Sequence, residues 1–229
     1  MNTIKVIAFD ADDTLWANEC HFQDIEKEYA GLLSEYMALK EISKELFITE
    51  MNNLDIYGFG IKSFVLSMVE TALRISNNKI DPLKLETILN YGKQLLRMPV
   101  ELLPDVGEVL TYLKKKYTLI IVTKGDLLDQ ERKIASSGLR KYFTHVEIMS
   151  SKSSDEYKNL LDRINCQPEE FLMIGNSVKS DILPVLEING YAAHIPYYVT
   201  WEHEKNDSPI LHSRYVSLNK LTDIYRYLE

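Results

Sequence analysis

Three stretches of this chain are near-continuous apolar runs: "KVIAF" at 5–9, "YTLIIVT" at 117–123, the richest in β-branched residues, and "FLMIG" at 171–175. A strand with one wet face alternates apolar with polar side chains. These runs do not alternate, so each reads as a strand buried on both faces. "HVEIM" at 145–149 and "YAAHI" at 191–195 are weaker candidates of the same kind. Between the runs, apolar residues recur at helical spacing: Val106, Val109, Leu110 and Leu113; Tyr157, Leu160, Leu161 and Ile164; Ile182, Val185, Leu186 and Ile188, with Gly190 as a stop signal. Strands and helices in strict alternation predict an α/β fold, a doubly wound parallel sheet with helices on both faces.

Residues 17–98 break that rhythm. Phe22, Ile25, Tyr29, Leu32, Leu33 and Tyr36 form one amphipathic stripe, and Phe64, Val65, Met68, Val69, Ala72 and Leu73 form another. Asp81-Pro82 is a helix start, with aspartate as the cap and proline in the first turn. No strand pattern occurs in this stretch, and "YGFG" at 57–60 reads as a loop within it. The expected organisation is an α/β core domain over 1–16 and 99–229, with an all-helical domain, 17–98, inserted after the first strand. The final "LNKLTDIYRYL" reads as a closing helix capped by Asn219.

A net charge of −8 argues against a nucleic-acid partner held through phosphate neutralisation. It leaves room for a small anion, because a few lysines or a metal can reverse the field locally. Cys20 and Cys166 form no C-x-x-C pair and no disulfide framework. The first apolar run is too short for a signal sequence, and no run reaches membrane-spanning length. A cytoplasmic setting with no membrane partner is expected. Oligomeric state is not legible.

The first strand ends in "DADDT", which puts Asp10, Asp12 and Asp13 at the margin of a buried segment. Ligands of open parallel sheets bind outside the carboxyl ends of the strands. Thr123 closes the second strong strand, Lys152 follows "HVEIMSS", and Asn176 and Asp181 follow "FLMIG". One crevice can collect them all. Clustered carboxylates repel unless a cation or proton relieves them. Hard oxygen ligands of this kind suit Mg²⁺, which keeps several waters and binds phosphate. A carboxylate can also act as a nucleophile and form an acyl phosphate. On an extended chain, Asp12 faces the same way as Asp10 and can serve as the acid and base for the leaving group and for water.

These pieces, in this order, resemble the haloacid dehalogenase-like hydrolase superfamily. The matching elements are Asp10-x-Asp12-x-Thr14 after an apolar strand, Thr123 at the end of the next, Lys152, and "MIGNSVKSD". The resemblance covers residues 1–16 and about 99–229. It implies a Rossmann-like core with a small helical cap and a Mg²⁺-dependent phosphatase acting on a small phosphorylated metabolite. Asp10 would be the nucleophile and a metal ligand. Asp12 would be the general acid/base, with its main-chain carbonyl on the metal. Thr123 and Lys152 would hold the phosphoryl group, and Lys124 is a further candidate substrate contact. Asp181 would support the metal. Asn176 stands where the family usually has aspartate; it keeps an oxygen for the metal and loses a charge.

Other residues carry plainer expectations. Asp13 is expected to cap the turn after the first strand, and Thr14 to steady Asp10. Lys158 falls on an outward helix face and is set aside in favour of Lys152. Lys179, like Lys124, is a candidate phosphate partner set against the ordinary reading of a surface lysine, His203 receives no role, and Trp16 and Tyr57 are candidates to border a substrate. Asp12 counts against a haloacid dehalogenase, a subgroup that lacks the second carboxylate. A phosphomutase or phosphotransferase of the same fold, and a non-catalytic binding protein motivated by Asn176, are the alternatives.

Overall fold

The computed structural model describes residues 1, 3–205 and 208–228. Six strands form one parallel sheet: β1 (Val6–Phe9), β2 (Thr118–Lys124), β3 (His145–Met149), β4 (Phe171–Gly175), β5 (Tyr191–His194) and β6 (Tyr215–Ser217). They lie side by side in the order β3-β2-β1-β4-β5-β6, every neighbouring pair parallel. β1 is central, with Phe9 opposite Ile121 on one side and Ile174 on the other.

The doubly buried reading holds for Ile7–Phe9, Leu119–Thr123 and Phe171–Ile174, while Lys5 and Thr118, at the strand starts, are exposed and Val6 and Tyr117 are half-buried. Ile7, Phe9, Leu119, Ile121, Leu172 and Ile174 face one core, shared with helix α5 (Val106–Leu113). Ala8, Ile120, Val122, Phe171 and Met173 face another, shared with α7 (Ser154–Arg163) and the short α8 (Leu183–Glu187). Successive side chains of a strand point to opposite faces, so helices on both sides require apolar residues at every position.

The chain divides into two compact units. One comprises Met1–Glu19, Val100–Lys124 and the chain from Arg132 onward; the other comprises Cys20–Pro99 and Gly125–Glu131. Four helices build the second unit: α1 (Glu19–Leu32), α2 (Leu39–Tyr57), α3 (Ile61–Ile75) and α4 (Pro82–Arg97). Ile25, Tyr29, Leu46, Met68 and Ile88 lie in its core. Asp81 caps α4 by accepting from the Leu83 N–H at 2.9 Å. The "YGFG" stretch supplies the turn between α2 and α3, where Gly58 takes φ 70° and Gly60 φ 111°. The segment 125–131, which holds the first half of α6 (Leu127–Ser136), groups with these helices, tied by the Lys62–Asp126 ion pair at 2.9 Å.

In the α/β unit, the segment leading out of β1 and the one returning to the sheet run side by side. Ala17 N–H donates to Glu101 O at 3.0 Å and Leu103 N–H to Leu15 O at 3.0 Å.

Three details differ from the sequence reading. β6 has only three residues, half-buried or exposed, too few for a hydrophobic pattern to register. The helix expected around 182–188 starts as a widened turn over Val178–Ile182 and continues as α8. Its stop is Asn189, at φ 62°, while Gly190 is small because an added Cβ would lie 2.6 Å from Val185 Cγ1. At the end of the chain, a tight turn at Leu221–Ile224 leads into α9 (Tyr225–Leu228). The cap there is not the Asn219 side chain: Asp223 accepts from the N–H groups of Asn219 and Lys220, each at 3.2 Å.

Candidate active site

The site lies at the carboxyl ends of β1, β2 and β4, where the sheet order reverses on either side of β1. Asp10 follows β1 directly, and its N–H donates to Ile174 O at 2.9 Å, so the sheet ladder fixes where its side chain starts. Lys152 lies just beyond β3 and reaches inward. Its ammonium sits 2.5 Å from Asp10 Oδ1 and 2.6 Å from Asp181 Oδ1, and its side chain is 1% exposed. The tool for this convergence is the widened turn after β4. That turn swings Asp181 back over the strand end, where its Oδ2 accepts from the Ser177 N–H at 3.0 Å. Only glycine fits beneath it: a Cβ on Gly175 would lie 2.2 Å from Asp181 Oδ2.

Burial sets the electrostatics. It pushes the Asp10 carboxyl up to about 7; Lys152 opposes this and the Asp181 charge adds to it. Burial alone would lower the Lys152 ammonium, and the two carboxylates outweigh it, so its pKa is raised. Tyr157, buried behind the lysine, is pushed well up by desolvation, and its hydroxyl donates to Ser180 O at 3.1 Å. Lys158, by contrast, is exposed and pairs with Asp155.

Thr14 links Asp10 to Asn176. Its hydroxyl lies 3.0 Å from Asp10 Oδ2 and 3.3 Å from Asn176 Oδ1. Nε2 of His194, at the end of β5, lies 3.0 Å from Asn176 O. Burial lowers the His194 pKa, which favours the neutral ring. Two carboxylates and an amide oxygen therefore stand at one place. Among the described residues, no group of three or more His, Cys, Asp or Glu is arranged to hold a metal ion; the third side-chain oxygen here is that of Asn176. Thr123 is buried at the end of β2.

Asp12 has partners of its own, distinct from those of Asp10. Trp16 Nε1 donates to its Oδ1 at 2.6 Å, and Lys133, from α6, reaches Oδ1 at 2.9 Å and Oδ2 at 3.0 Å. Lys133 also donates to Asn18 Oδ1 at 2.8 Å. Trp16 is thus a buried brace for Asp12.

Asp13 turns the chain in the left-handed region, at φ 62°. Its carboxylate accepts from the N–H groups of Asn18 at 2.8 Å and Glu19 at 3.0 Å, capping the start of α1. Burial, and then the neighbouring Asp12, push its pKa up to about 7 against those N–H bonds.

Lys124 pairs with Glu204 and donates to Ser180 Oγ at 2.8 Å. Lys179 donates to His203 O at 2.7 Å, and His203 stacks on Trp201. Lys133, His194 and Glu204 went unread in the sequence. Lys133 is one cation in a mixed-charge helix, and Glu204 lies in a stretch without periodicity; only the fold brings either to the strand ends.

The family model for haloacid dehalogenase-like hydrolases matches residues 4–185. A solved haloacid dehalogenase-like family hydrolase from Xanthomonas campestris is 33% identical, with a TM-score of 0.87 over 98% of this chain and 91% of that one. N-acylneuraminate-9-phosphatase of Mus musculus is 26% identical over 162 residues, 68% of this chain and 62% of that protein. This chain therefore matches less than two thirds of the mouse enzyme's length. Glyceraldehyde 3-phosphate phosphatase of Methanothermobacter thermautotrophicus is 26% identical over 194 residues, 79% of this chain and 80% of that protein. The family match runs from the first residues of the sheet through the turn that carries Asp181, and the chain belongs to the haloacid dehalogenase-like hydrolases.

Proposed function

We propose that this hydrolase is a Mg²⁺-dependent phosphatase acting on a small phosphorylated metabolite through an aspartyl-phosphate intermediate, with residues 17–98 as its cap. The observation that carries the reading is the buried Lys152 ammonium held between Asp10 and Asp181 beside the ends of β1 and β4. The phosphatases among its relatives point the same way.

The donor chemistry fits a hard cation: carboxylate oxygens from Asp10 and Asp181, the amide oxygen of Asn176, and the Asp12 carbonyl, with water completing the shell. When bound, Mg²⁺ supplies positive charge that keeps Asp10 ionised and offsets charge on the phosphoryl oxygens. Every other step falls to the chain. Asp10 Oδ attacks phosphorus as the bond to the leaving oxygen breaks, and Asp12 gives that oxygen a proton. Asp12 then takes a proton from the water that attacks phosphorus, which releases phosphate and restores the Asp10 carboxylate. Thr123 and Lys152 hold phosphoryl oxygens while charge shifts among them. Lys124 stands next to Thr123 with its charge shared by Glu204.

The test is hydrolysis of an aryl phosphate with and without Mg²⁺, followed by a panel of sugar phosphates, nucleotides and other phosphorylated metabolites. The wild type is expected to turn over only with the metal, and Asp10→Asn to be inactive. Equal rates for wild type and Asp10→Asn across the panel would instead support a non-catalytic role.

A further inference from the structure

The segment after β5 carries a carboxylate back to the strand ends. Glu204 is nearly buried, its side chain 10% exposed, and it pairs with Lys124, whose side chain is 18% exposed. Ser177 donates to Glu204 Oε2, and Ser180 Oγ lies 3.1 Å and 3.0 Å from its two oxygens. The Ser180 N–H donates to Ser177 Oγ at 3.0 Å, and the Ser177 N–H to Asp181 Oδ2 at 3.0 Å. One side chain therefore joins the end of β2, next to Thr123, to the turn between Asn176 and Asp181. Burial alone would raise the Glu204 pKa; Lys124 and the two hydroxyls outweigh it and hold the carboxyl below its ordinary range, so it is an anion at neutral pH.

The Lys124 ammonium lies against Ser180, the residue before Asp181, and a cation there attracts phosphate bound at the strand ends unless its charge is answered. We propose that Glu204 is a positioning residue: it holds the Lys124 ammonium against Ser177 and Ser180 and so limits how tightly the site grips phosphate. This rests on the phosphatase reading and adds a function to it, the release of product. An enzyme whose cation is fully committed to phosphate binds ground state and product along with the transition state, which does not raise kcat.

The test uses inorganic phosphate as the probe, with calorimetric binding to the Mg²⁺-loaded full chain and product inhibition of aryl phosphate hydrolysis. Glu204→Gln keeps the size of the side chain and one acceptor oxygen and removes its charge. It is expected to bind phosphate about fivefold more tightly and to show a correspondingly lower inhibition constant. Lys124→Met is expected to weaken binding by about the same factor, because the Glu204 charge is then unanswered. The double variant returns toward wild type. A purely structural role predicts the reverse for Glu204→Gln, a lower melting temperature with equal or weaker phosphate binding, and that result overturns the proposal. Should Glu204→Gln fail to fold, Lys124→Met decides: weaker binding supports the inference, and equal or tighter binding overturns it. If the wild type neither binds phosphate nor loses hydrolysis with Asp10→Asn, the phosphatase reading itself fails and this inference goes with it.

Discussion

Lys152 and Asp181 meet as Nζ and Oδ1 at 2.6 Å, each with a side chain only 1% exposed. A charge pair so far from water is costly to break, because the remaining partner is left uncompensated. Lys152→Met strands Asp10 and Asp181 together. It is expected to lower unfolding free energy by about 3 kcal/mol in chemical denaturation and to abolish hydrolysis. Adding Asp181→Asn to it restores much of the stability and none of the activity. Unchanged denaturation of Lys152→Met would remove the buried pair from the account.

Asn176 is the amide in an otherwise acidic oxygen set. Asn176→Asp adds a charge there with almost no change in shape, and Mg²⁺ binding followed by calorimetry is expected to tighten about tenfold. An unchanged dissociation constant would place Asn176 away from the metal.

Lys133 and Trp16 hold the Asp12 carboxylate in one orientation. Lys133→Met is expected to lower kcat about tenfold with little change in KM, since an acid/base works only within hydrogen-bond reach of the proton it moves. Lys133→Arg recovers part of the loss. A rise in KM at constant kcat would assign Lys133 to substrate binding instead.

Asp13 makes stability depend on pH. Its carboxyl ionises at 3.8 in the ordinary state and at about 7 in the fold, so the folded chain keeps its proton longer. Its contribution to stability is full below about pH 4 and is lost as pH rises to about 7. Asn at position 13 cannot ionise, tolerates the left-handed backbone and keeps an oxygen acceptor. Asp13→Asn is expected to melt above wild type at pH 8, with the gap narrowing toward pH 5. A gap independent of pH would locate the effect in the backbone.

The sheet was legible because its central strands are buried on both faces, which writes a continuous apolar run into "LIIVT" and "FLMIG". β6 was not, because three partly exposed residues carry no period. The site was legible where a chemical group ends a strand: Asp10, Thr123 and Asn176 each stand at or next to such an end. Lys152 could be found by order along the chain, but its burial between two carboxylates is a property of the turn over Val178–Ile182. Asp10 and Asp12 looked like one charged cluster. In the fold, Lys152 pairs with Asp10, and α6 delivers Lys133 to Asp12. That pairing joins residues 121 apart, and no spacing rule reaches so far.

The central claim is that Asp10 forms a bond to phosphorus, and trapping that bond tests it most directly. The Mg²⁺-loaded wild type is mixed briefly with aryl phosphate, quenched in acid and reduced with borohydride, which converts an acyl phosphate to the alcohol. Mass spectrometry of the peptide covering residues 5–15 is expected to show homoserine at position 10. An enzyme that turns over the substrate and leaves Asp10 unreduced under the same quench would contradict the account.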